Sequence, residues 1–496
     1  MTLRRTIWPA LAVLACLVTS LTAQQSRGSA LQASGSARVR YEGWSWFDPG
    51  SAAPTVPGAN SYGYGAALLK GGLRFDTRRW FDATLELQHT TLLGLPEDAR
   101  GPAPIGEMGG GASHFTPHAK SNDSRIFVNQ AFLTLKRPGR GATYLRAGRF
   151  DYMDGTEAPT PDPTLEWLRR SRVAGRLIAN FGFSHVQRTF DGGAAALDGT
   201  GANLTLFAAH PRQGGFELNG GQDMSEVDIA AATLTVKPAR LGGKAEARLF
   251  AMYYADRRSP ADSVVMVDNR PAPVRSADSA GLTIPMIGGH YLRHGPLGRG
   301  EWDATLWGVY QAGRWGALDH RAWAVAAEGG YQFSRAPWKP WLRVGYNRSS
   351  GDDDPNDGTH RTFFQAMTTV RPFAQFPFFN LMNTEDLFAQ LVLRPVPGRL
   401  TLRTDVHRIR LAEAGDLWYG GSGAFQRRGS FGFGGRPSGG HQDLATLADL
   451  SVDYAVRPWW SLYGYVGHAF GGAVVRGTYA GDAATLAYVE VTFRRP

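Results

Sequence analysis

An all-β fold, a transmembrane antiparallel up-and-down β-barrel of about 18 strands with short periplasmic turns and long extracellular loops, is the class this chain predicts. Three observations carry it. The same strand-and-turn pattern runs unbroken through residues 36–496. Connections between strands alternate between short and long. Beyond the N-terminus, no stretch reaches the roughly 18 consecutive apolar residues of a spanning helix. The clearest stretch is Thr384 to Tyr419, where Leu400, Leu402, Thr404 and Val406 alternate with Thr401, Arg403, Asp405 and His407. Period-2 alternation gives one apolar and one polar face. In a barrel the apolar face meets lipid and the polar face lines a lumen.

At the N-terminus, Arg4 and Arg5 precede a largely apolar run from Ile7 to Leu21 and then small residues. That order predicts a secretory leader, residues 1–23, cut after Ala23. Lipid attachment at Cys16 is disfavoured, because Leu14 is bulky and the apolar run continues past the cysteine. Cys16 is the only cysteine, so the mature chain holds no disulfide and needs a large continuous sheet for stability. Residues 24–35 are expected to form a flexible lead-in, followed by one barrel over 36–496. The formal charge of +10 falls to about +8 once the leader is removed. A basic balance suits an acidic partner. The lysines and arginines are dispersed along strands and turns, so nucleic acid is not expected.

In order, the first strand is expected at Ala37–Phe47, the second near Tyr62–Phe75, and the third at Trp80–Leu93 after the turn Thr77-Arg78-Arg79. A long loop over about 94–123 leads to Arg125–Leu135, the turn Arg137-Pro138-Gly139-Arg140, and Ala142–Phe150. Another long loop is expected at 151–172. Further short turns fall near 198–201, 238–243, 294–299, 335–340, 395–399 and 456–459. Longer connections fall near 211–224, 257–277, 350–383, 412–440 and 471–482, with only 314–318 brief on that side. Aromatic pairs beside turns, Trp80-Phe81, Trp338 with Trp341, Trp418-Tyr419 and Trp459-Trp460, suit membrane-interface girdles. The last segment, Thr485–Pro496, alternates like a closing strand, although Phe493 is followed by Arg494-Arg495-Pro496.

Several stretches together resemble the alginate export family of outer-membrane barrels. These are Leu145-Arg146-Ala147-Gly148-Arg149, then Arg188-Thr189-Phe190-Asp191-Gly192, and the run Leu411 to Tyr419 after the Ser350-Gly351-Asp352 loop. Where the family has Gly-Arg-Gln, Phe150 replaces the glutamine. The resemblance implies an 18-stranded monomeric barrel whose arginine-rich lumen guides a polyanionic polysaccharide. By matching motif it implies Arg149 and Asp191 as pore residues, with Arg146 and Arg188 beside them on the substrate path.

A uronate polymer carries one carboxylate per sugar, and conducting it requires several guanidinium contacts of moderate strength. Alternation places Arg343, Arg403, Asp405 and His407 inward, together with Lys244, Glu246, Arg248, Asp449 and Asp453. The lumen is therefore expected to be mixed in sign, and cross-strand pairing that braces the wall competes with substrate contact. Asp352 to Gly358 departs from a calcium loop, since its glycine is one place late and position twelve is Phe363. It is read as a solvated acidic outer loop. His114 and His118 share a loop with Pro117 and make a poor zinc pair. Ser184 and His185 are adjacent, so alternation points them to opposite faces, and neither GxSxG nor a phosphate loop occurs. No cofactor, metal or catalysis is expected.

The reading is a bacterial outer-membrane channel, not an enzyme, for passive export or diffusion of an anionic polysaccharide or small anionic solutes. It is expected to be a monomer in outer-membrane lipid, with periplasmic assembly or export partners. The alternatives are a general small-solute porin on the same scaffold, an outer-membrane hydrolase, and a soluble secreted sugar-binding β-protein.

Overall fold

The computed structural model of the chain describes residues 30–50, 58–137, 143–368 and 374–495. The expected leader, Cys16 and most of the turn Arg137 to Arg140 lie outside the described residues. Eighteen antiparallel strands form the wall: β1 (Leu31–Ser45), β2 (Ser61–Asp76), β3 (Phe81–Leu93), β4 (Asn122–Lys136), β5 (Tyr144–Phe150) and β6 (Phe190–Asp198). They continue as β7 (Ala202–Pro211), β8 (Val227–Val236), β9 (Ala245–Asp256), β10 (Leu282–Leu297), β11 (Gly300–Trp315) and β12 (Leu318–Gln332). The last six are β13 (Trp341–Ser349), β14 (Thr384–Val396), β15 (Leu400–Leu411), β16 (Asp443–Arg457), β17 (Trp460–Gly471) and β18 (Ala483–Arg495).

Each strand pairs with its sequence neighbours, and β1 closes the ring by pairing with both β2 and β18. Closure satisfies the backbone groups that lipid could not. Outward positions are apolar and exposed, for example Val39, Tyr41, Leu249, Ile287, Val344 and Val489. Their neighbours, such as Arg40, Glu42, Arg248 and Arg343, are buried inside. No helix of the described residues is long and apolar enough to cross a membrane.

Three expectations are corrected. The lead-in ends sooner, because Leu31 to Gly35 already belong to β1, in register with Phe75 to Gly71 of β2. The loop after β5 continues to Thr189, well past 172. Its apolar segment 173–183 lacks strand alternation because it lies inside the barrel, where Val173, Leu177, Ile178, Ala179 and Phe181 are buried. The aromatic girdle holds for Trp80, Trp338 and Trp459, which are exposed beside periplasmic turns. Trp341 instead points into the lumen, and Trp418 and Tyr419 pack among loops, all nearly inaccessible.

The long loops fold inward. Two apolar clusters fill the space between them and the inner wall, one around Leu177, Phe364 and Met367 and the other around Trp44, Phe376 and Phe378. Short strands knit the loops: Thr359–His360 runs parallel to β12, and Leu417–Gly421 pairs with Phe433–Pro437. Where β5 meets β4, Gly148 adopts φ 124, and a Cβ there would lie 2.3 Å from the Ala131 carbonyl oxygen.

Gly148→Val should therefore lower the heat-unfolding midpoint of the folded gel band, with backbone strain alone costing about 1–3 kcal/mol. Gly65→Ala, whose Cβ meets nothing within 4 Å, should leave that midpoint unchanged.

Candidate functional site in the lumen

The site is a bar across the lumen, built from the loop between β5 and β6 (151–189) and the loop between β13 and β14 (350–383). At one end Arg172 and Arg176 reach the wall. A single carboxylate, Glu328 of β12, accepts from Arg172 at 2.7 Å, Arg343 at 3.0 Å and Arg176 at 3.1 Å. Arg343 also donates to Asp303 at 3.0 Å, and Arg176 to the Asn347 side-chain oxygen at 3.1 Å. Asn347 continues to Asp386, which holds His407 at 2.9 Å. The Arg172 guanidinium lies 4.5 Å from the Phe388 ring centroid and that of Arg176 lies 5.1 Å from Trp307. Burial lowers the Arg176 guanidinium to about 10, partly offset by Glu328.

The other end of the bar is anchored on β1 and β3. Arg40 donates to the Phe183 carbonyl at 2.9 Å, and Arg38 to that of Gly182 at 2.8 Å. His185 meets Glu42 at 2.9 Å, while Gln88 and Thr90 donate to the carbonyls of Val186 and His185. The second loop is laid along the first by Ala179 N–H to Met367 C=O and Met367 N–H to Leu177 C=O, both 2.8 Å. Gln375, farther along it, accepts from the Tyr463 hydroxyl of β17 at 2.5 Å.

Of the expected pore residues, Arg146, Arg343, Arg403, Asp405 and His407 face the lumen. Arg343, Asp405 and His407 are fully buried and paired, and Arg403 binds Asp405 at 2.6 Å. Arg188 sits in the bar and donates to the carbonyls of Met367 and Ser422, a packing role. Arg149 and Asp191 are corrections. They lie three and one residues from Arg146 and Phe190 respectively, so alternation turns them outward, in phase with Leu145 and Leu197. There they form an outer-rim cluster, Asp191 accepting from Arg149 and Arg212, both at 2.7 Å.

Arg146 differs from the braced arginines. It is half-buried over Phe132, Tyr144 and Phe150, 4.5, 5.2 and 5.5 Å from their centroids. Its Nε donates to Thr134 at 3.2 Å, and it has no carboxylate partner among the described residues. Sequence reasoning missed Arg172, Arg176 and Glu328. Their signals were four arginines within Arg169 to Arg176 in an otherwise apolar loop, and the inward phase of Glu328 with Ala322, Ala324 and Ala326.

The acidic loop is exposed at Asp353, Asp354, Asn356 and Asp357, as expected, and departs from that only at Asp352, which is buried. Its backbone N–H donates to Asp416 at 3.0 Å, which also accepts from Thr362 and Tyr419. Burial, reinforced by Asp416, pushes the Asp352 carboxyl up to about 7, and burial lifts Asp416 to about 6. His114 and His118 are held apart by different partners, the Phe216 carbonyl and Glu217, and the segment Gly110–Phe115 is a short helix after all. Among the described residues no cluster of three metal-ligating side chains occurs.

Two outcomes test this arrangement. Glu328→Gln removes the carboxylate shared by Arg172 and Arg176, while Arg343 keeps Asp303; this should destabilise the barrel by about 3–5 kcal/mol, read as a lower unfolding midpoint, and should shift ion selectivity towards anions. Asp352 and Asp416 bind protons more tightly in the folded loops than in the free chain. Their contribution is therefore complete below the ordinary carboxylate range and lost as pH rises through about 6 to 7. Protection factors of loop 350–368, with the intrinsic pH dependence of exchange divided out, should be lower at pH 8 than at pH 5, and Asp352→Asn should flatten that difference.

Comparison with known proteins agrees with this architecture. The structure of OpdK, an outer-membrane protein of Pseudomonas aeruginosa, aligns at TM-score 0.54 and 11% identity, covering 94% of this chain and 99% of that one. OccK9 (OpdG) of the same organism aligns at TM-score 0.57 and 13% identity, over 94% and 98% of the two chains. OccK2 (OpdF) of P. aeruginosa, solved in complex with glucuronate, aligns at TM-score 0.54 and 11% identity over 94% and 96%. At such identities the likeness is one of fold. No curated protein matches by sequence. The sequence model of the family described as alginate export matches residues 113–488, most of the chain. This protein is an outer-membrane β-barrel channel and belongs to the alginate export family.

Proposed function

We propose that the channel conducts acidic saccharides by passive diffusion, and that Arg146 is a residue that grips them. The observation carrying this is the partly exposed Arg146, whose guanidinium is set among three aromatic rings and free of any carboxylate among the described residues. A uronate presents a planar carboxylate and an apolar sugar face. Arginine takes the first by paired hydrogen bonds, and aromatic rings take the second. Because Arg343, Arg403, Arg172 and Arg248 are paired with carboxylates and Arg188 is spent on loop carbonyls, the grip at Arg146 holds the solute weakly enough for release. The complex of OccK2 with glucuronate fits this reading, as does the family's description.

Loop packing favours short saccharides over an extended polymer. Apolar side chains of the inward loops pack against the inner wall of the barrel, so a polymer could pass only if they moved.

Single-channel recording in planar bilayers tests the proposal. Glucuronate and oligouronates should block the wild-type current, and Arg146→Ala should weaken block about tenfold, the loss of one charge-assisted contact of roughly 1.4 kcal/mol. Arg149→Ala, on the outer wall, should leave block unchanged. Equal block in wild type and Arg146→Ala would remove Arg146 from the path.

A further inference from the structure

The outer wall of β9 to β13 carries a groove that faces away from the lumen. Here the apolar lipid-facing surface is dented. Gly289 of β10 and Gly308 of β11 face each other in register on the outward side. Flanked by Leu249, Tyr291, Leu306 and Val325, they leave an apolar groove of about 470 Å³. The register then leads upward: Gly308 pairs with Val325, and Val325 pairs with Arg348. Two residues above Val325 on the same face is Trp323, whose backbone N–H donates to the Ser350 hydroxyl at 2.9 Å.

At that level, on the extracellular rim, lies a second cavity of about 200 Å³. It is lined by Arg321, Arg348 and Arg361, by Trp323, and by the carboxylates Asp353 and Glu413. Arg361 is paired with Asp357 at 2.6 Å. Arg321 and Arg348 are in no ion pair among the described residues, and the Arg348 Nε is buried without a hydrogen-bond acceptor. Arg348 also hydrogen-bonds the Tyr346 hydroxyl, but its Nε stays unsatisfied; two guanidiniums outside any ion pair, beside a tryptophan and above an apolar groove, match the parts of one amphiphile. The phosphate would meet the arginines, the ring would lie at the headgroup level, and an acyl chain would fill the dent.

We propose that this face binds a phosphorylated glycolipid of the outer leaflet, its phosphate between Arg321 and Arg348 and an acyl chain over Gly289 and Gly308. A solute in transit never reaches these residues, because they point away from the lumen. The groove also distinguishes the site from the outer-rim cluster of Arg149, Asp191 and Arg212, where a carboxylate already joins both arginines.

Native mass spectrometry of the full-length barrel in detergent, titrated with diphosphoryl lipid A, reads this directly. Wild type should retain one lipid. The double variant Arg321→Ala/Arg348→Ala should bind at least tenfold more weakly, as should Gly308→Leu, whose added Cβ meets the Val325 side chain only at an ordinary 3.6 Å. Lipid stripped of its phosphates should bind wild type as weakly as the intact lipid binds the double variant, and millimolar inorganic phosphate should not displace the intact lipid. Folding of each variant is checked by its heat-modifiable gel mobility. If the double variant does not fold, the dephosphorylated lipid on wild type decides. Equal retention by the double variant, or by dephosphorylated lipid, overturns the proposal. Displacement by inorganic phosphate would mean a free-anion site, and equal weakening by Arg149→Ala would mean diffuse charge attraction; either also overturns it.

Discussion

A strand in hydrocarbon finds no water for its backbone, so the sheet must close on itself, and everything else in this molecule follows from that closure. Pairing of β1 with both β2 and β18 leaves no free edge. Closure divides every strand into a lipid face and a lumen face. Charges are affordable only on the second, except at the rims. The arginines of the wall accordingly fall into two populations: Arg40, Arg248 and Arg343 inside, and Arg149, Arg321 and Arg348 outside near the extracellular end.

Inside, burial sets a second requirement. A guanidinium shielded by packed loops needs an anion within hydrogen-bond reach. Glu328 meets it for three arginines at once, two of them from the loop and one from the wall. A shared carboxylate of this kind adds little net stability, since desolvation offsets attraction, but it specifies where the loop can dock. The opposite anchor works differently. Arg38, Arg40, Gln88 and Thr90 hold the carbonyls of residues 182–186, so the wall grips the loop by its backbone. Side-chain pairing at one end and backbone capture at the other keep the bar taut across the lumen.

This economy explains why an arginine-rich lumen need not be a strongly positive one. Most inward guanidiniums are committed to structure, whereas Arg146, over its three rings, has no carboxylate partner among the described residues. On the outer wall Arg149 and Arg212 are satisfied by Asp191, while Arg321 and Arg348 are in no ion pair among the described residues and stand above an apolar groove.

The sequence by itself determined the wall. Period-2 alternation is a local property, so β14 and β15, the inward phase of Arg343, Arg403, Asp405 and His407, and nearly all the turns were legible from residue order. The same rule, applied strictly, would have placed Arg149 and Asp191 outside, since an odd number of residues separates Arg149 from the inward Arg146; matching a motif hid that parity. What only the tertiary structure decided is the contents of the barrel. Residues 173–183 have no period to read because they are covered on every side, and Trp418 is buried by loops distant in sequence. The joining of Arg172 and Arg176 to Glu328 spans more than 150 residues. It depends on a chain closed into a ring, which brings distant strands face to face, and no local pattern encodes that distance.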